Sequence, residues 1–318
     1  MKKLAASLLA VLILVTGLAG SVSANGQAAP DAPAATWQTI MSEGFEGTWP
    51  GGLWSVVDAY PDQYQRYWGK ANYRAHAGSW SAWPAAGGAQ AVTPGAGVVY
   101  PNDLSSQMIY GPFDLSDVFD AEVRFWMWLD VEAGFDYVSL YASHDGVSFN
   151  ELQTWDGTTA GNWEEFVINL VTPPPGPPGY NGDPSVWLRV DFISDYSNGL
   201  EGPFIDDITL RKLPLAAPVV TIGRSGSSDI RLEWPANPDA AAYEVWRAAN
   251  SPYFAPGADC AAAPSACSLV TTNYYVHSGG SGSTADNYTY VVRAVQGAVK
   301  SLPSNRTAEF DFTLVKGG

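Results

Sequence analysis

Three histidines, His76, His144 and His277, are scattered along 318 residues, none at metal-ligand spacing from another. The H-E-x-x-H pattern that lets two histidines hold zinc is absent. So are the G-x-S-x-G elbow and any cysteine nucleophile with a placed base. Carboxylates are plentiful, and a glycosidase needs only two at the correct separation, which spacing along the chain does not reveal. The residue types therefore point to binding, not catalysis. Aromatic residues offer the most for that purpose. Trp49, Trp54, Tyr60, Tyr64, Tyr67, Trp68, Tyr73, Trp80 and Trp83 fall within 35 residues. Exposed tryptophan and tyrosine present flat apolar faces with polar tips, against which sugars stack. Tyr67, Trp68, Trp80 and Trp83 are the expected ligand-binding set, with Tyr64 beside them. The competing reading is that such large rings fill a sandwich core.

Charge narrows the partners. Residues 36–212 carry 23 Asp/Glu against 7 Lys/Arg, and residues 213–318 carry 8 against 7. The acidity of the first part repels nucleic acid and anionic lipid. Met1-Lys2-Lys3, the apolar run Leu4 to Val15 and the small residues Val22-Ser23-Ala24 read as a signal peptide, residues 1–24, cleaved after Ala24. An exported protein with no membrane insertion after cleavage is expected. Cys260 and Cys267 are the only cysteines. In an exported chain an even pair reads as a disulfide, with two buried free thiols as the alternative. With no second pair, and His277 ten residues on, a zinc site is not expected.

The elements that must position these groups are strands. From Ala121 to Leu129, Ala121, Val123, Phe125, Met127 and Leu129 alternate with Glu122, Arg124, Trp126 and Trp128, the period of a strand with unlike faces. Val138, Leu140 and Ala142 repeat it beyond the turn-prone Val131–Asp136, which predicts a β-hairpin with one face in a core. Trp126 and Trp128 imply that the other face is covered too, as in a two-sheet sandwich. Trp163 to Leu170 alternates again. Six prolines between Thr172 and Pro184 rule out a central strand there. Val186, Leu188, Val190 and Phe192 alternate with Trp187, Arg189 and Asp191, and Phe204 to Leu210 closes this part. Residues 25–35 read as a disordered Ala/Pro-rich leader, 36–212 as a first domain, 213–218 as a linker and 219–318 as a second domain. The second has short strands around Ile230, Tyr243 and Tyr288 and a closing strand from Phe310 to Val315. No segment shows sustained helical periodicity, so the expected class is all-β.

Several of these motifs resemble known families. Ile230-x-Leu232-x-Trp234, Tyr243-x-Val245-x-Arg247 and Tyr288-x-Tyr290-x-Val292-x-Ala294 resemble the B, C and F strands of a fibronectin type III domain, with Tyr288 in the place of its corner tyrosine. The segment Ser251 to Ser268, which carries the cysteines, departs from that pattern. Gly44-Phe45-Glu46-Gly47 with Trp54, Tyr110-Gly111-Pro112-Phe113-Asp114-Leu115, Ser143-x-Asp145-Gly146 with Phe149, Trp163, and Phe204-Ile205-Asp206-Asp207-Ile208-x-Leu210 resemble, in that order, the MAM and immune inhibitor A-like jelly rolls of the choice-of-anchor type. The cysteines of animal MAM domains are missing, which favours the bacterial branch. The resemblance implies a jelly-roll sandwich followed by an immunoglobulin-like one. It also implies that first and last strands of the jelly roll are neighbours holding a structural Ca²⁺. Glu43, Glu46, Asp206 and Asp207 would be its hard oxygen ligands, with solvated turn acids as the alternative. The function expected is a secreted, non-catalytic adhesion protein that recognises a glycan or cell-surface partner through the jelly roll, the second domain acting as spacer. The alternative is an inert accessory module of an exported hydrolase system.

Overall fold

A computed structural model of the chain describes residues 35–60, 65–173 and 178–310. The expected signal peptide, all but the last residue of the leader, Tyr64, and the closing strand beyond Phe310 lie outside the described residues. The described part is all-β, without a helix, and belongs to one compact unit.

The first sandwich is built from β1 (Gln38–Glu43), β2 (Trp54–Asp58), β3 (Tyr67–Ala71), β4 (Ser81–Gly87), β5 (Ser105–Phe113), β6 (Val118–Asp130), β7 (Tyr137–Ser143), β8 (Phe149–Trp155), β9 (Glu164–Asn169), β10 (Val186–Ile193) and β11 (Gly202–Pro214). One antiparallel sheet runs β3-β4-β11-β6-β9, with β1 also on β11; the other runs β2-β5-β10-β7-β8. The hairpin expected across Val131–Asp136 is not formed. β6 pairs with β11 and β9, while β7 pairs with β10 and β8 in the opposite sheet. The apolar faces of the two strands instead meet across one core that also contains Met108, Leu188, Val190 and Ile205. Alternation identifies a buried face; it does not distinguish two strands that pair from two that face each other.

The far side of β6 is covered by a turn, not by a sheet. The His76 ring stacks on Trp126 with centroids 3.9 Å apart, and the Arg74 guanidinium lies 4.0 Å over the Trp128 ring.

The second sandwich sets β12 (Thr221–Ser225), β13 (Asp229–Glu233) and β16 (Tyr274–His277) against β14 (Ala242–Ala249), β15 (Cys267–Val270), β17 (Tyr288–Gln296), β18 (Val299–Lys300) and β19 (Thr307–Ala308). Ile230, Leu232, Trp234, Val245, Tyr290 and Val292 fill its core. The fully buried tyrosine of β17 is Tyr290, whose hydroxyl meets His277 Nδ1 at 2.7 Å; Tyr288 is half-buried against the His277 ring. Leu213 and Pro214, expected in a linker, extend β11 along β6, and Leu215 is buried in the second core, where Phe119 also packs. Cys260 and Cys267 are disulfide-bonded. The chain just before this loop is pinned to the sheet: Arg293 donates to the Gly257 carbonyl and Lys300 to that of Ala258, while both also pair with buried Glu244.

Candidate functional site

Three of the four acids at the chain ends of the jelly roll, Glu46, Asp206 and Asp207, touch one turn; Glu43 bonds only locally. β1 pairs with β11, Glu43 lying opposite Ile208, as the resemblance implies. The turn between β3 and β4 then supplies donors. Glu46 Oε1 accepts from the main-chain N–H of Ser79 (2.7 Å) and Trp80 (2.9 Å), which hold its carboxyl below the usual range. Asp206, fully buried, accepts from the N–H of His76 (2.8 Å), Ala77 (3.2 Å) and Asp207 (2.8 Å). Burial nevertheless pushes the Asp206 carboxyl up to about 6, against the pull of those donors. Asp207 Oδ2 lies 2.7 Å from His76 Nδ1, and Glu43 Oε1 accepts from Phe45 N–H. Glu46, Asp206 and Asp207 anchor the turn that covers Trp126. Among the described residues, the acids that bring three oxygens within 4.8 Å of one another are a different set, Glu132, Asp136 and Asp195. They too are tied by donors, Asp136 by the Tyr100 hydroxyl and Glu132 by the Asn198 amide.

The expected aromatic set is divided by the fold. Trp68 and Trp83 have no exposed surface. Each indole N–H reaches a main-chain carbonyl, Trp68 that of Ser106 (3.1 Å) and Trp83 that of Glu201 (2.9 Å), so the whole ring can be buried without an unmet donor. Neither can stack on a ligand, which corrects the expectation for both. Trp80 is half-buried with Lys70 Nζ over its ring, and half-buried Tyr67 packs on the backbone of Gly87.

A better-formed binding surface lies on the outer face of the second sheet. Val186, Leu188, Val190 and Phe192 of β10 point into the core, so Trp187, Arg189, Asp191 and Ile193 point away from it. The register aligns polar residues across this face. Gln107, Asp191, Ser139 and Thr154 form one row over four strands; Ser55, Ile109, Arg189, Tyr141 and Glu151 form the next. The Arg189 guanidinium lies between the rings of Tyr141 (4.5 Å) and Phe149 (4.4 Å). Gln107 Nε2 approaches Asp191 Oδ2 at 3.4 Å, and the Ser139 and Thr154 hydroxyls bond each other at 2.7 Å.

Asp191 is the unusual member. Although on the face turned from the core, it is only 4% exposed. Arg189 Nε lies 2.8 Å from its Oδ1, close enough for an ion pair, yet out of line, so neither atom completes a hydrogen bond. Burial pushes the Asp191 carboxyl up to about 6, with Arg189 pulling the other way. At the end of the face Trp187 is held by two glycines of left-handed φ, Gly111 and Gly146. A Cβ at either would stand 2.7 Å or 2.9 Å from the indole. The face thus sets an amide, hydroxyls and a guanidinium over a recessed carboxylate and beside a fixed indole, without a nucleophile–base pair. The signal for it was the polar set Trp187, Arg189 and Asp191, out of phase with the buried positions. Aromatic density pointed elsewhere.

No protein-family model matches the sequence, and no curated protein matches it. Solved structures share its outline. The K3 cleaved adhesin domain of Lys-gingipain from Porphyromonas gingivalis w83 is 17% identical over 54% of this chain and 98% of that one, with a TM-score of 0.40. The carbohydrate-binding module TmCBM61, solved with β-1,4-galactotriose, is 14% identical over 55% of this chain and 88% of its own, at 0.28. An Fn3-like protein from Clostridium thermocellum is 23% identical over 32% of this chain and 97% of its own, at 0.23. The chain is thus similar in outline to adhesin, carbohydrate-binding and Fn3-like β-sandwich domains, at identities that leave function open.

Proposed function

We propose that this is a secreted, non-catalytic binding protein that holds a carbohydrate chain on the outer face of the β2-β5-β10-β7-β8 sheet, with the second sandwich as a spacer. The observation that carries the reading is the face of β10 turned from the core, where polar rows running from Gln107 to Thr154 and from Ser55 to Glu151 lie beside Trp187, an indole that Gly111 and Gly146 hold in place. A hydroxyl-rich ligand suits such a surface, since each hydroxyl both donates and accepts and an indole gives a sugar ring a flat apolar face. The disulfide supports an oxidising compartment. Affinity electrophoresis of the full chain through gels containing soluble polysaccharides tests the reading. Retardation by at least one polymer, lost in Trp187→Ala, supports it; free migration in every gel leaves the chain an inert accessory module. A structural Ca²⁺ at Glu43, Glu46, Asp206 and Asp207 is a separate proposal, supported by the contacts of the last three with one turn and by Glu43 lying opposite Ile208, beside Asp207.

A further inference from the structure

We infer that Asn198 is a site of spontaneous deamidation, and that the carboxylate it becomes undoes its contact with Glu132, which ties the β10–β11 loop to the β6–β7 turn. Three Asn-Gly pairs occur in the chain, at Asn25, Asn181 and Asn198. The first lies outside the described residues. In such a pair no side chain on the second residue hinders its nitrogen from reaching the asparagine amide carbon, because glycine has no Cβ. At Asn198 the fold itself imposes the pair. The φ of Asn198 is 51°, in the left-handed region where asparagine is enriched. A Cβ at Gly199 would stand 2.3 Å from the Tyr100 carbonyl oxygen, so glycine is needed there.

The surroundings of the two described pairs differ. The Gly182 N–H donates to the Leu115 carbonyl at 2.9 Å, and Asn181 is half-buried, so the nitrogen that would attack is engaged. Among the described residues nothing accepts from the Gly199 N–H, and Asn198 is exposed. The reaction needs only water and its hydroxide. Hydroxide takes the Gly199 N–H proton, and the nitrogen bonds to Asn198 Cγ. The Cγ–Nδ2 bond breaks, and Nδ2 takes up a proton from water and leaves as ammonia. Water then opens the five-membered imide. Opening at Cγ gives aspartate; opening at the main-chain carbonyl gives isoaspartate, with one more carbon in the backbone path.

The product matters because of what Asn198 holds. Its Nδ2 donates to Glu132 Oε1 at 2.8 Å. Among the described residues this is the only hydrogen bond to that carboxyl, whose Oε2 is buried without a partner. Glu132, Asp136 and Asp195 already bring oxygens within 4.8 Å of one another. A carboxylate in place of the amide turns a donor into an acceptor and adds a like charge beside this set. The Asp195 N–H bond to Asp136, at 2.8 Å, then remains between the two loops.

The test is a time course of the full chain in mildly alkaline buffer, folded and in denaturant, read by peptide mass mapping and by enzymatic methylation of isoaspartate. Asn198→Gln, whose longer side chain would have to close a six-membered ring, runs beside wild type. The inference predicts that the folded wild type converts at Asn198 to aspartate and isoaspartate. Conversion there should be about tenfold faster than at Asn181, the order of one hydrogen bond that Gly182 must first break. In denaturant the two sites should react at similar rates, and Asn198→Gln should stay unconverted at that position. Asn198→Asp should melt about 2–4 °C below wild type, the order of one lost hydrogen bond in a chain of this size. An Asn198 that stays intact in the folded chain, or an Asn181 that converts as fast, overturns the site. An Asn198→Asp variant that melts with wild type overturns the effect on the Glu132 contact.

Discussion

Arg189 Nε and Asp191 Oδ1 lie 2.8 Å apart on alternate residues of one strand, both on the side of the sheet turned from the core, without an in-line hydrogen bond between them. An ion pair kept for stability alone would be expected to close its geometry, since the attraction offsets desolvation only when the remaining hydrogen-bonding capacity is met. Here both facing atoms are buried and unmet, so the pair lies beneath the face and not on it.

This arrangement gives Asp191 a destabilising charge at neutral pH. Its carboxyl is raised to about 6 in the folded chain, above its value when unfolded. Between pH ~4 and ~6 the native state therefore holds a proton that the unfolded chain has released. Stability falls as pH rises through that window and levels off above it. Asp206 acts in the same direction. Asp191→Asn removes only its own share, so it should gain roughly 1–3 kcal/mol relative to wild type at pH 7 and nothing at pH 4. Denaturant unfolding of both proteins at the two pH values checks this. A penalty at pH 7 would show that the carboxylate is structural.

Arg189→Met should behave in the opposite sense. It leaves Asp191 recessed without its cation, a change that costs about 3–5 kcal/mol for a buried pair. The cost should shrink at pH 5, where Asp191 takes up a proton. A pH-independent loss would assign the effect to packing against Tyr141 and Phe149 instead.

The indoles separate core from ligand face. Trp68→Ala and Trp83→Ala should each cost about 3–5 kcal/mol, as large deletions from a packed core do. Trp187→Ala, at a half-buried edge, should cost less than about 2 kcal/mol. Thermal melts of the three variants rank them, and a Trp187 variant less stable than the other two would reverse the assignment.

Calcium addresses the acids at the end of β1 and in β11. If Glu43, Glu46, Asp206 and Asp207 coordinate Ca²⁺, millimolar Ca²⁺ raises the melting temperature, by the equivalent of about 2.7 kcal/mol at a hundredfold excess over Kd. Chelator lowers it, and Asp206→Ala abolishes the response while Asp145→Ala does not. A melting curve indifferent to both leaves these carboxylates with the N–H groups that hold them.

The strands were readable because burial leaves a period of two in the sequence, as in Ala121–Leu129 and Val186–Phe192. Sheet membership was not: β6 and β7 follow each other in the chain, yet β6 pairs with β11 and β7 with β10, between residues 44 to 96 apart. Trp68 and Trp83 misled for a related reason. Their burial depends on carbonyls of Ser106 and Glu201, far along the chain, that accept the indole N–H. The polar face was half visible, since Trp187, Arg189 and Asp191 stand out of phase with the core. Gln107, Ser139 and Thr154 join them only through strand register, which local spacing does not encode. The cysteine pair was legible because Cys260 and Cys267 are the only two cysteines of a chain that reads as exported, so no other partner competes.

The central claim is that ligand binding belongs to the outer face of β10 and not to the aromatic segment around β3 and β4. Affinity electrophoresis of Trp187→Ala against Trp80→Ala, in a gel of a neutral polysaccharide that retards the wild type, tests it most directly. The claim predicts free migration of Trp187→Ala and wild-type retardation of Trp80→Ala. The reverse pattern would contradict it.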